Sequence, residues 1–405
     1  MSDTGRMEFD ADVVVIGGGM VGLALACGLG QAGMRVTVVE REMARPRRSL
    51  GRDCRVSAIV AGTVEMLRGL GAWRRLEHEA CAIESMRVWD DQRDGGIRFE
   101  AGEAGLDALG FIVENSVLAG ALRETLEELP SAELLCPASV ADVRWRASAA
   151  EVELDDGERL RTPLVVGADG GRSWLRARAG IPVWSHRFGQ QGIVATVRPA
   201  MPHRGRAFQR FLPTGPLAFL PLTGDLCSIV WSAEDGEAAR LMALDDARFL
   251  EELQRAFGPV LGPLLEAGER AAFPLRSQLA RHVVRPRLAL VGDAAHQIHP
   301  LAGLGVNLGI RDAMVLAQEV ADARRFGEDW GGMPVLERYM RGRMPDVLAV
   351  LGGMEGFHHL FTSRVPGVGW LRNAGMRLAG NAGPLKEMLM RRAMGLSLPV
   401  PRRIV

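Results

Sequence analysis

Residues 12–22, DVVVIGGGMVG, join a run of apolar residues directly to three consecutive glycines. Such an uninterrupted apolar run is typical of a strand that is buried on both faces of a parallel sheet. The Ala- and Leu-rich residues 21–31 predict a helix that Gly33 ends, and residues 35–39, RVTVV, predict a second strand. The sequence therefore predicts a strand–helix–strand unit near the start of the chain.

Gly17, Gly19 and Gly22 match the G-x-G-x-x-G pattern of dinucleotide-binding turns. Gly17 permits a tight turn, Gly19 lets the backbone approach a pyrophosphate, and Gly22 lets the helix pack close to the sheet. The helix N-terminus offers N–H donors to the phosphates. Glu40, at the end of the second strand, is expected to accept hydrogen bonds from a ribose. A glycine-rich turn beside a surface glutamate is the alternative, and the strand and helix context favours the dinucleotide site.

Two distant segments also end an apolar run in a turn of glycine and aspartate. Residues 164–166 lead into Gly-Ala-Asp169-Gly, and residues 288–291 lead into Gly-Asp293. Open α/β sheets bind ligands at the carboxyl ends of their strands, so all three turns are expected to meet at one sheet edge. Asp293 would hold the hydroxyls of a ribityl chain. Asp169 would either cap the following helix or fix the dinucleotide-binding loops.

The segment after the last turn carries two further glycines. Gly303 and Gly305 allow the backbone to pass against a flat ring. The helix expected after Asn307 would direct its positive end at that ring and stabilise negative charge there. His296 and His299 have a spacing found in metal sites, but no cysteine or carboxylate cluster completes a ligand set, so we predict no metal.

The composition fits a globular protein of two or three domains, with 405 residues, 47% hydrophobic and 24% charged. Lys+Arg and Asp+Glu number 49 each, so the net charge does not indicate a nucleic-acid partner. The five scattered cysteines include no C-x-x-C pair, which argues against a disulfide framework and is typical of the cytoplasm. Neither a secretory signal nor a membrane-spanning helix is predicted.

Three segments, residues 12–40, 165–176 and 288–312, resemble the fingerprints of the single-component FAD aromatic hydroxylases, the para-hydroxybenzoate hydroxylase group. The motifs Arg55-Val-Ser-Ala, Val113-Glu-Asn-Ser-Val-Leu and His299-Pro-Leu-Ala-Gly, followed by Asn-Leu-Gly-Ile-Arg-Asp312, are similar to those of the ubiquinone-biosynthesis hydroxylases. The resemblance implies an α/β fold. It comprises a Rossmann-like FAD-binding domain of the glutathione-reductase type, an inserted antiparallel β-sheet substrate domain and a C-terminal helical region.

The domain boundaries follow from this resemblance and from the strand patterns. Residues 1–75, 101–180 and 280–328 are expected to form the discontinuous FAD-binding domain. Residues 76–100 and 181–279 are expected to form the substrate domain, because short β-rich runs separated by Gly and Pro fill them. Residues 329–405 are expected to form helices broken by Pro345, Pro366 and Pro384. Residues 211–221 would form either a cover for the site or plain sheet core.

The resemblance also implies which residues bind the cofactor, in three groups. The ADP half of FAD would contact Gly17, Gly19, Gly22, Glu40, Arg41, Arg123 and Val140. The flavin and ribityl part of FAD would contact Arg55, Asp169 and Asp293. Asp169 would also contact the nicotinamide cofactor. The isoalloxazine ring and the reacting atoms would lie against His299, Pro300, Gly303, Gly305, Val306 and Asn307.

The implied reaction is hydroxylation of a polyprenylated phenol or benzoquinol in ubiquinone biosynthesis, with NAD(P)H reducing the flavin and O2 forming a C4a-hydroperoxide. Only one glycine motif has full context, so NAD(P)H is expected to bind transiently. Leu304 replaces the glutamine usual in the family's Ala-Gly-Gln-Gly loop. Tyr339 is the only tyrosine, which does not support a tyrosine relay. His186, His299 or water would have to serve as acid and base.

Several alternatives stay open at the level of sequence. The substrate could be another aromatic metabolite, such as a polyketide or quinolone. A flavin reductase, a halogenase or a non-catalytic prenyl-quinone-binding protein would use the same fold. Residues 360–405 carry eight basic residues and one acidic residue among apolar ones, which predicts either a helix at a membrane interface or a helix with a solvated basic face. We predict a cytoplasmic protein, peripheral to the inner membrane in the first case. A homo-oligomer and a quinone-biosynthesis complex are also left open.

Overall fold

The structure is a computed structural model that describes residues 9–42, 48–90, 96–298 and 305–362. His299, Pro300, Gly303 and Leu304 lie outside these residues, and so does most of the basic segment, residues 363–405. The predictions made for them stay predictions.

The strands, in chain order, are β1 Val13–Ile16, β2 Val36–Val39, β3 Arg48–Ser49, β4 Arg52–Asp53, β5 Val56–Val60, β6 Cys81–Ile83, β7 Ser85–Asp90, β8 Ile97–Glu100, β9 Gly110–Glu114, β10 Ala132–Leu135, β11 Val140–Trp145, β12 Ala150–Leu154, β13 Arg159–Thr162, β14 Val165–Gly167, β15 Val183–Pro199, β16 Arg206–Leu212, β17 Gly215–Pro221, β18 Cys227–Glu234, β19 Leu264–Ala267, β20 Ala271–Ala280, β21 Val284–Arg285, β22 Leu288–Leu290 and β23 His296–Gln297. The helices are α1 Met20–Gln31, α2 Ala61–Gly69, α3 Trp73–Leu76, α4 Asn115–Glu127, α5 Trp174–Arg178, α6 Asp235–Ala243, α7 Asp246–Phe257, α8 Gly305–Arg325 and α9 Met333–Thr362.

A six-stranded sheet in the order β10-β2-β1-β14-β22-β21 carries the three glycine turns. All of its pairings are parallel except β21 with β22. Every residue of β1 is buried, as the apolar run predicted. Since β1, β14 and β22 are neighbours, the turns that follow them meet at one carboxyl edge. The prediction of a shared edge is confirmed.

Helices α1 and α8 pack against each other beside this sheet. Gly309 of α8 allows the close approach, because a Cβ built there would lie 2.6 Å from Cγ2 of Val21. The helix begins at Gly305, three residues before the predicted start. The sheet, α1, α4 and α8 share one large hydrophobic core. This is the α/β fold that the sequence predicted.

A nine-stranded sheet contains β23-β20-β15-β18-β17-β16-β7-β8, with β19 paired to β15. Residues 85–90 and 97–100 join it, as expected, through a parallel pairing of β7 with β16. One face packs on α6 and α7, where Leu217 and Phe219 of β17 are fully buried. Leu220 points to the opposite face and packs with Ile112 of β9. Residues 211–221 therefore form sheet core on one face and a wall towards β9 on the other.

Helix α9 corrects one prediction, because it runs through Pro345 instead of breaking there. Proline removes one backbone hydrogen bond, a cost that tertiary contacts can offset. Arg343 bonds both Asp312 and Asp346, and Val347 is fully buried, so contacts on both sides of Pro345 hold the helix. In the described part of the chain, no helix is long and apolar enough to span a membrane.

Candidate functional site

The glycine turn after β1 has the geometry of a dinucleotide-binding loop. Gly17 has a φ of +110°, and a Cβ there would lie 2.5 Å from the carbonyl oxygen of Ala168. A Cβ on Gly22 would lie 1.9 Å from the carbonyl oxygen of Gly17. Gly19, by contrast, is exposed and faces open space at the N-terminus of α1. Two glycines are thus required by the fold, and the third leaves room for a ligand beside the helix N-terminus.

Glu40 lies directly against this turn. Its Oε2 accepts a hydrogen bond from the backbone N–H of Gly18 at 2.6 Å, and its Oε1 accepts one from Glu42 at 3.0 Å. The carboxylate is therefore fixed at the rim of the space in front of Gly19. Arg41, the next residue, is exposed at the same strand end.

Asp169 contacts the start of the helix that follows it, as the first of its two interpretations predicted. Its Oδ2 accepts a hydrogen bond from the N–H of Leu175 at 3.0 Å, which ties the turn to the start of α5. Its Oδ1 is buried and has no hydrogen-bond partner among the described residues. A buried carboxylate oxygen without a donor is costly, so this oxygen is suited to a ligand donor.

Arg176 is a site residue that the sequence analysis missed. Its guanidinium donates to the carbonyl of Ala294 at 2.7 Å and to the carbonyl of Gly171 at 2.8 Å. Burial lowers the pKa of Arg176, assisted by Arg276 and opposed by Asp169. The side chain thereby joins the turn after β14 to the turn after β22. Its position directly behind the Gly-Ala-Asp-Gly turn was the available signal, but its partner is 118 residues away.

Asp293 lies in a 3-10 turn, Gly292–Ala294, at the end of β22. Burial raises the pKa of this carboxyl group, with His296 and Arg276 acting in the opposite direction. Its contact with Gln297, 3.4 Å from Nε2 to Oδ2, is long. The carboxyl group is thus held at the shared edge with weak protein partners, which leaves it able to accept ligand hydroxyls.

Asn307 links the start of α8 to β5. Its Nδ2 donates to the carbonyl of Ala58 at 2.7 Å, and its Oδ1 accepts from the N–H of Val60 at 3.0 Å. Gly305 and Val306 precede it, both half-buried, in the first turn of the helix. Asn307 therefore positions the helix N-terminus through its side chain.

Replacing Asn307 by alanine is expected to lower the free energy of unfolding by about 1–3 kcal/mol, because two partly buried backbone groups lose their partner. Asn307→Asp should not rescue, since one carboxylate oxygen would face the carbonyl of Ala58. Urea unfolding of the apoprotein measures this, with Asn115→Ala on α4, where Ser57 is the partner at 2.7 Å, as a less buried control. Equal losses in the two alanine variants would contradict the positioning role.

Arg55 is exposed at the start of β5, and its backbone is braced from below. Oδ1 of Asp53 accepts from the N–H of Arg55 at 3.0 Å, and Oδ2 accepts from Ser116 at 3.2 Å. Glu114 accepts in turn from the N–H of Asp53 at 2.7 Å. These hydrogen bonds fix the backbone of Arg55 and so the point from which its exposed side chain extends.

Arg123 and Val140 lie near β10, the outer strand of the six-stranded sheet. Arg123 lines a cavity of about 320 Å³ together with Leu134 and Cys136, at the end of β10. Its Nε lies 3.6 Å from Oε1 of Glu127 and makes no hydrogen bond with any residue that the structure describes. Val140 begins β11 and packs against the main core. Because β10 pairs with β2, this cavity opens beside the strand that leads to Glu40.

A buried charged cluster beneath the site was not foreseen. Oδ2 of Asp312 lies 2.6 Å from Nε2 of His296 and accepts from the N–H of Gly292 at 3.1 Å. Oδ1 accepts from Nε of Arg343 at 2.8 Å. Burial would raise the pKa of Asp312, but His296 and Arg343 outweigh it and hold the pKa below its usual range. His296 is thus the partner of a buried carboxylate, Asp312.

Tyr339 and His186, a tyrosine and a histidine that could titrate, lie in other surroundings. Tyr339 is buried and donates to the carbonyl of Leu290 at 2.8 Å. Burial raises its pKa well above the usual value. Tyr339 therefore has a structural role. His186 on β15 stacks on Trp184 at 6.4 Å and meets the edge of Phe188 at 4.7 Å.

The described residues fit FAD. Gly19 leaves open space at a helix N-terminus, Glu40 is fixed at its rim, and Asp169 offers an unpartnered buried oxygen. Asp293 and the start of α8 lie at the neighbouring strand end. These features line a single sheet edge, where an extended dinucleotide can contact all of them.

Comparisons with known proteins agree with this fit. Residues 10–351 match the family model described as FAD binding domain. The ubiquinone hydroxylase UbiL of Rhodospirillum rubrum is 39% identical over 404 residues, which are 99% of this chain and 94% of that protein. The 3-demethoxyubiquinol 3-hydroxylase of Escherichia coli is 39% identical over 95% of this chain and 98% of its own length. The crystal structure of Pseudomonas aeruginosa PqsL in complex with 2-aminobenzoylacetate has a TM-score of 0.76 at 26% identity, covering 91% of this chain and 99% of that one.

Proposed function

The chain belongs to the FAD binding domain family, and we propose that it is an FAD-dependent hydroxylase that uses NAD(P)H and O2 to add one oxygen to the ring of a polyprenylated phenol or benzoquinol in ubiquinone biosynthesis. One observation supports FAD binding above all: three glycine turns meet at one sheet edge. Among them lies the Oδ1 atom of Asp169, which has no hydrogen-bond partner in the described residues. The relatives named ubiquinone hydroxylase and 3-demethoxyubiquinol 3-hydroxylase support the substrate class.

The cofactor would be held from both of its ends. Glu40 would bind the ribose of the ADP half, and the α1 N-terminus with Gly19 would bind the pyrophosphate. Arg123 would reach the phosphates from its cavity. Asp293 would bind the ribityl hydroxyls, which suits a carboxyl group with weak protein partners. The start of α8 would direct its N–H groups at the flavin ring.

FAD, when bound, supplies the redox chemistry that activates O2 for attack on an electron-rich ring. The protein's part is to orient the ring and to exclude water. The wall formed by Leu220 with Ile112 is apolar and packs with Val56 and Ala58 of β5. A prenylated ring would therefore be bound beside this apolar cluster, which would help to keep water from the flavin. The α8 N-terminus would stabilise negative charge on the reduced ring.

NAD(P)H is proposed to bind transiently, because the chain has a single glycine motif with a strand, a helix and an acidic residue in place. The unpartnered oxygen of Asp169 would serve both FAD and the nicotinamide cofactor. A stable complex of NADPH with the oxidised enzyme in calorimetry would contradict this.

Residues 363–405 are proposed to bring the protein to the membrane that holds the substrate, which flotation with anionic vesicles tests.

The proposed function predicts a defined change in quinones when the gene is deleted. Mass spectrometry of lipid extracts should show a polyprenyl phenol or benzoquinol that lacks one oxygen relative to its successor. Expression of the wild-type chain should restore the quinone, whereas a variant unable to bind FAD should not. If the quinone pool of the deletion strain is unchanged and the purified protein still binds FAD, the substrate is a different aromatic compound.

A further inference from the structure

Helix α9 is connected to the chain on both sides of Asp293, although none of its residues is assigned to FAD. Oδ2 of Asp312 in α8 accepts from the backbone N–H of Gly292 at 3.1 Å and lies 2.6 Å from Nε2 of His296. The other oxygen of this carboxylate, Oδ1, accepts from Nε of Arg343 in α9 at 2.8 Å. One carboxylate therefore joins α9 to both ends of the turn that presents Asp293.

Two further contacts of α9 reach the same segment of chain. The hydroxyl of Tyr339 donates to the carbonyl of Leu290 at 2.8 Å, just before the turn. Ile298, just after the turn, belongs to a buried apolar cluster that includes Val347 of α9. Residues 290–298 are therefore supported by α9 directly at their two ends and through α8 in the middle.

The position of the Asp293 carboxyl group depends on this support. Its own contact with Gln297 is long, 3.4 Å from Nε2 to Oδ2. The backbone of the turn therefore fixes the carboxyl group more firmly than its side-chain contact does. Burial raises the pKa of Asp293 and His296 opposes this rise, so His296 also acts on the carboxyl group through its charge. A shift of the turn would move both groups.

Arg343 is poorly suited to a purely stabilising role. It is buried, and its Nη2 has no hydrogen-bond partner among the residues that the structure describes. A buried donor without a partner is costly, and a buried ion pair often stabilises a fold no better than apolar residues of similar size. Its bond from Nη1 to Oδ2 of Asp346, at 2.8 Å, lies within α9. The bond from Nε to Asp312 connects it to a different helix.

We propose that Arg343 is a positioning residue for FAD, which acts through Asp312 on the turn that presents Asp293. The inference rests on the proposed function, in which Asp293 binds the ribityl hydroxyls. Asp312 is 1% exposed, so water cannot replace a partner that it loses, and the turn shifts instead. Loss of the Arg343 bond should therefore misplace Asp293 and weaken FAD binding, although no group that contacts the cofactor is removed.

Two pairs of substitutions in the full chain separate positioning from general support by α9. Arg343→Met with Asp312→Asn removes the link to α9, while the side-chain oxygen of asparagine can still accept from the N–H of Gly292. The matched control is Arg338→Met with Glu319→Gln. It removes another ion pair between α9 and α8, half-buried, with Nε of Arg338 2.8 Å from Oε2 of Glu319.

Both pairs are made in the wild type and in Asp293→Ala. Flavin fluorescence titration measures the FAD affinity of the apoproteins, and visible circular dichroism of the holoproteins reports the surroundings of the flavin. The Arg343 pair should bind FAD about tenfold more weakly and alter the dichroism, about the effect of one lost hydrogen bond to a charged group. In Asp293→Ala the same pair should cause no further loss, because the group that it positions is absent. The control pair should match its parent in both measurements.

Three results would overturn the proposal: wild-type affinity in the Arg343 pair, an equal loss in the control pair, or a loss that persists in Asp293→Ala. Arg343→Lys keeps a cation beside Asp312 but lacks the fork that holds two carboxylates, so a smaller loss is expected. If the Arg343 pair does not fold, this variant takes its place in the same cycle and the same three results apply. Wild-type affinity and dichroism in Asp293→Ala alone would instead show that the proposed placement of FAD is wrong.

Discussion

Gly22→Ala is expected to abolish FAD binding, so that the purified variant is colourless and adds no flavin when FAD is supplied. The added Cβ would lie 1.9 Å from the carbonyl oxygen of Gly17, a backbone atom that cannot move without opening the turn. Overpacking of this kind destabilises the fold by about 1–3 kcal/mol. The larger effect falls on the cofactor, because the displaced turn no longer directs the α1 N-terminus at the pyrophosphate.

Two other glycines provide matched controls for this substitution. Gly19→Ala adds its Cβ in open space, so the stability of the apoprotein should stay within about 0.5 kcal/mol while FAD affinity falls at least tenfold. Gly120→Ala on α4 also meets nothing and should leave FAD binding unchanged. Flavin fluorescence titration of the three apoproteins measures the affinities. Stoichiometric FAD in Gly22→Ala would show that this turn is not the pyrophosphate site.

Asp312→Asn is expected to lower the free energy of unfolding by about 3–5 kcal/mol, because Arg343 loses a buried counter-charge and His296 loses the carboxylate that it contacts at 2.6 Å. Arg343 is 3% exposed, so water cannot replace the carboxylate. Replacing both partners, with Arg343→Met added, should recover part of the loss, since a buried ion pair contributes less than the cost of breaking it. Arg341→Gln, an exposed residue of the same helix, is the control.

The pH dependence of stability gives a second measurement of the same cluster. The pKa of Asp312 is lowered in the folded protein, so its contribution is fully present above the unfolded pKa of about 3.9. That contribution is lost as the pH falls through the lower folded pKa. Unfolding curves between neutral and acid pH should therefore converge for wild type and Asp312→Asn at the acid end. If the two proteins differ in free energy of unfolding by the same amount at every pH, a stabilising role for the charged form of Asp312 is contradicted.

The parts of the site that could be predicted are those encoded locally. The apolar run 13–16 and the glycines after it specify a strand and a turn within ten residues, and the structure has both. The turns containing Asp169 and Asp293 were recognised for the same reason. Their meeting at one edge followed from a general property of parallel sheets.

The remaining parts depend on contacts between distant positions. Arg176 and Ala294 are 118 residues apart, and Asp312 and Arg343 are 31 apart on different helices. A single sequence contains no local pattern for such pairs. The break expected at Pro345 was wrong for a related reason, since burial of Val347 and the Arg343 ion pairs outweigh the local preference of proline.

The order of strands in the six-stranded sheet has a consequence for biosynthesis of the protein. Neighbours β1, β14 and β22 begin at residues 13, 165 and 288, so the proposed FAD-binding edge cannot close until almost three quarters of the chain has left the ribosome. Such distant pairings form slowly, and the buried strand β1 has to stay free of aggregation meanwhile. If FAD binds the completed edge and not earlier states, cofactor supply should raise the yield of folded protein by drawing late intermediates towards the native state.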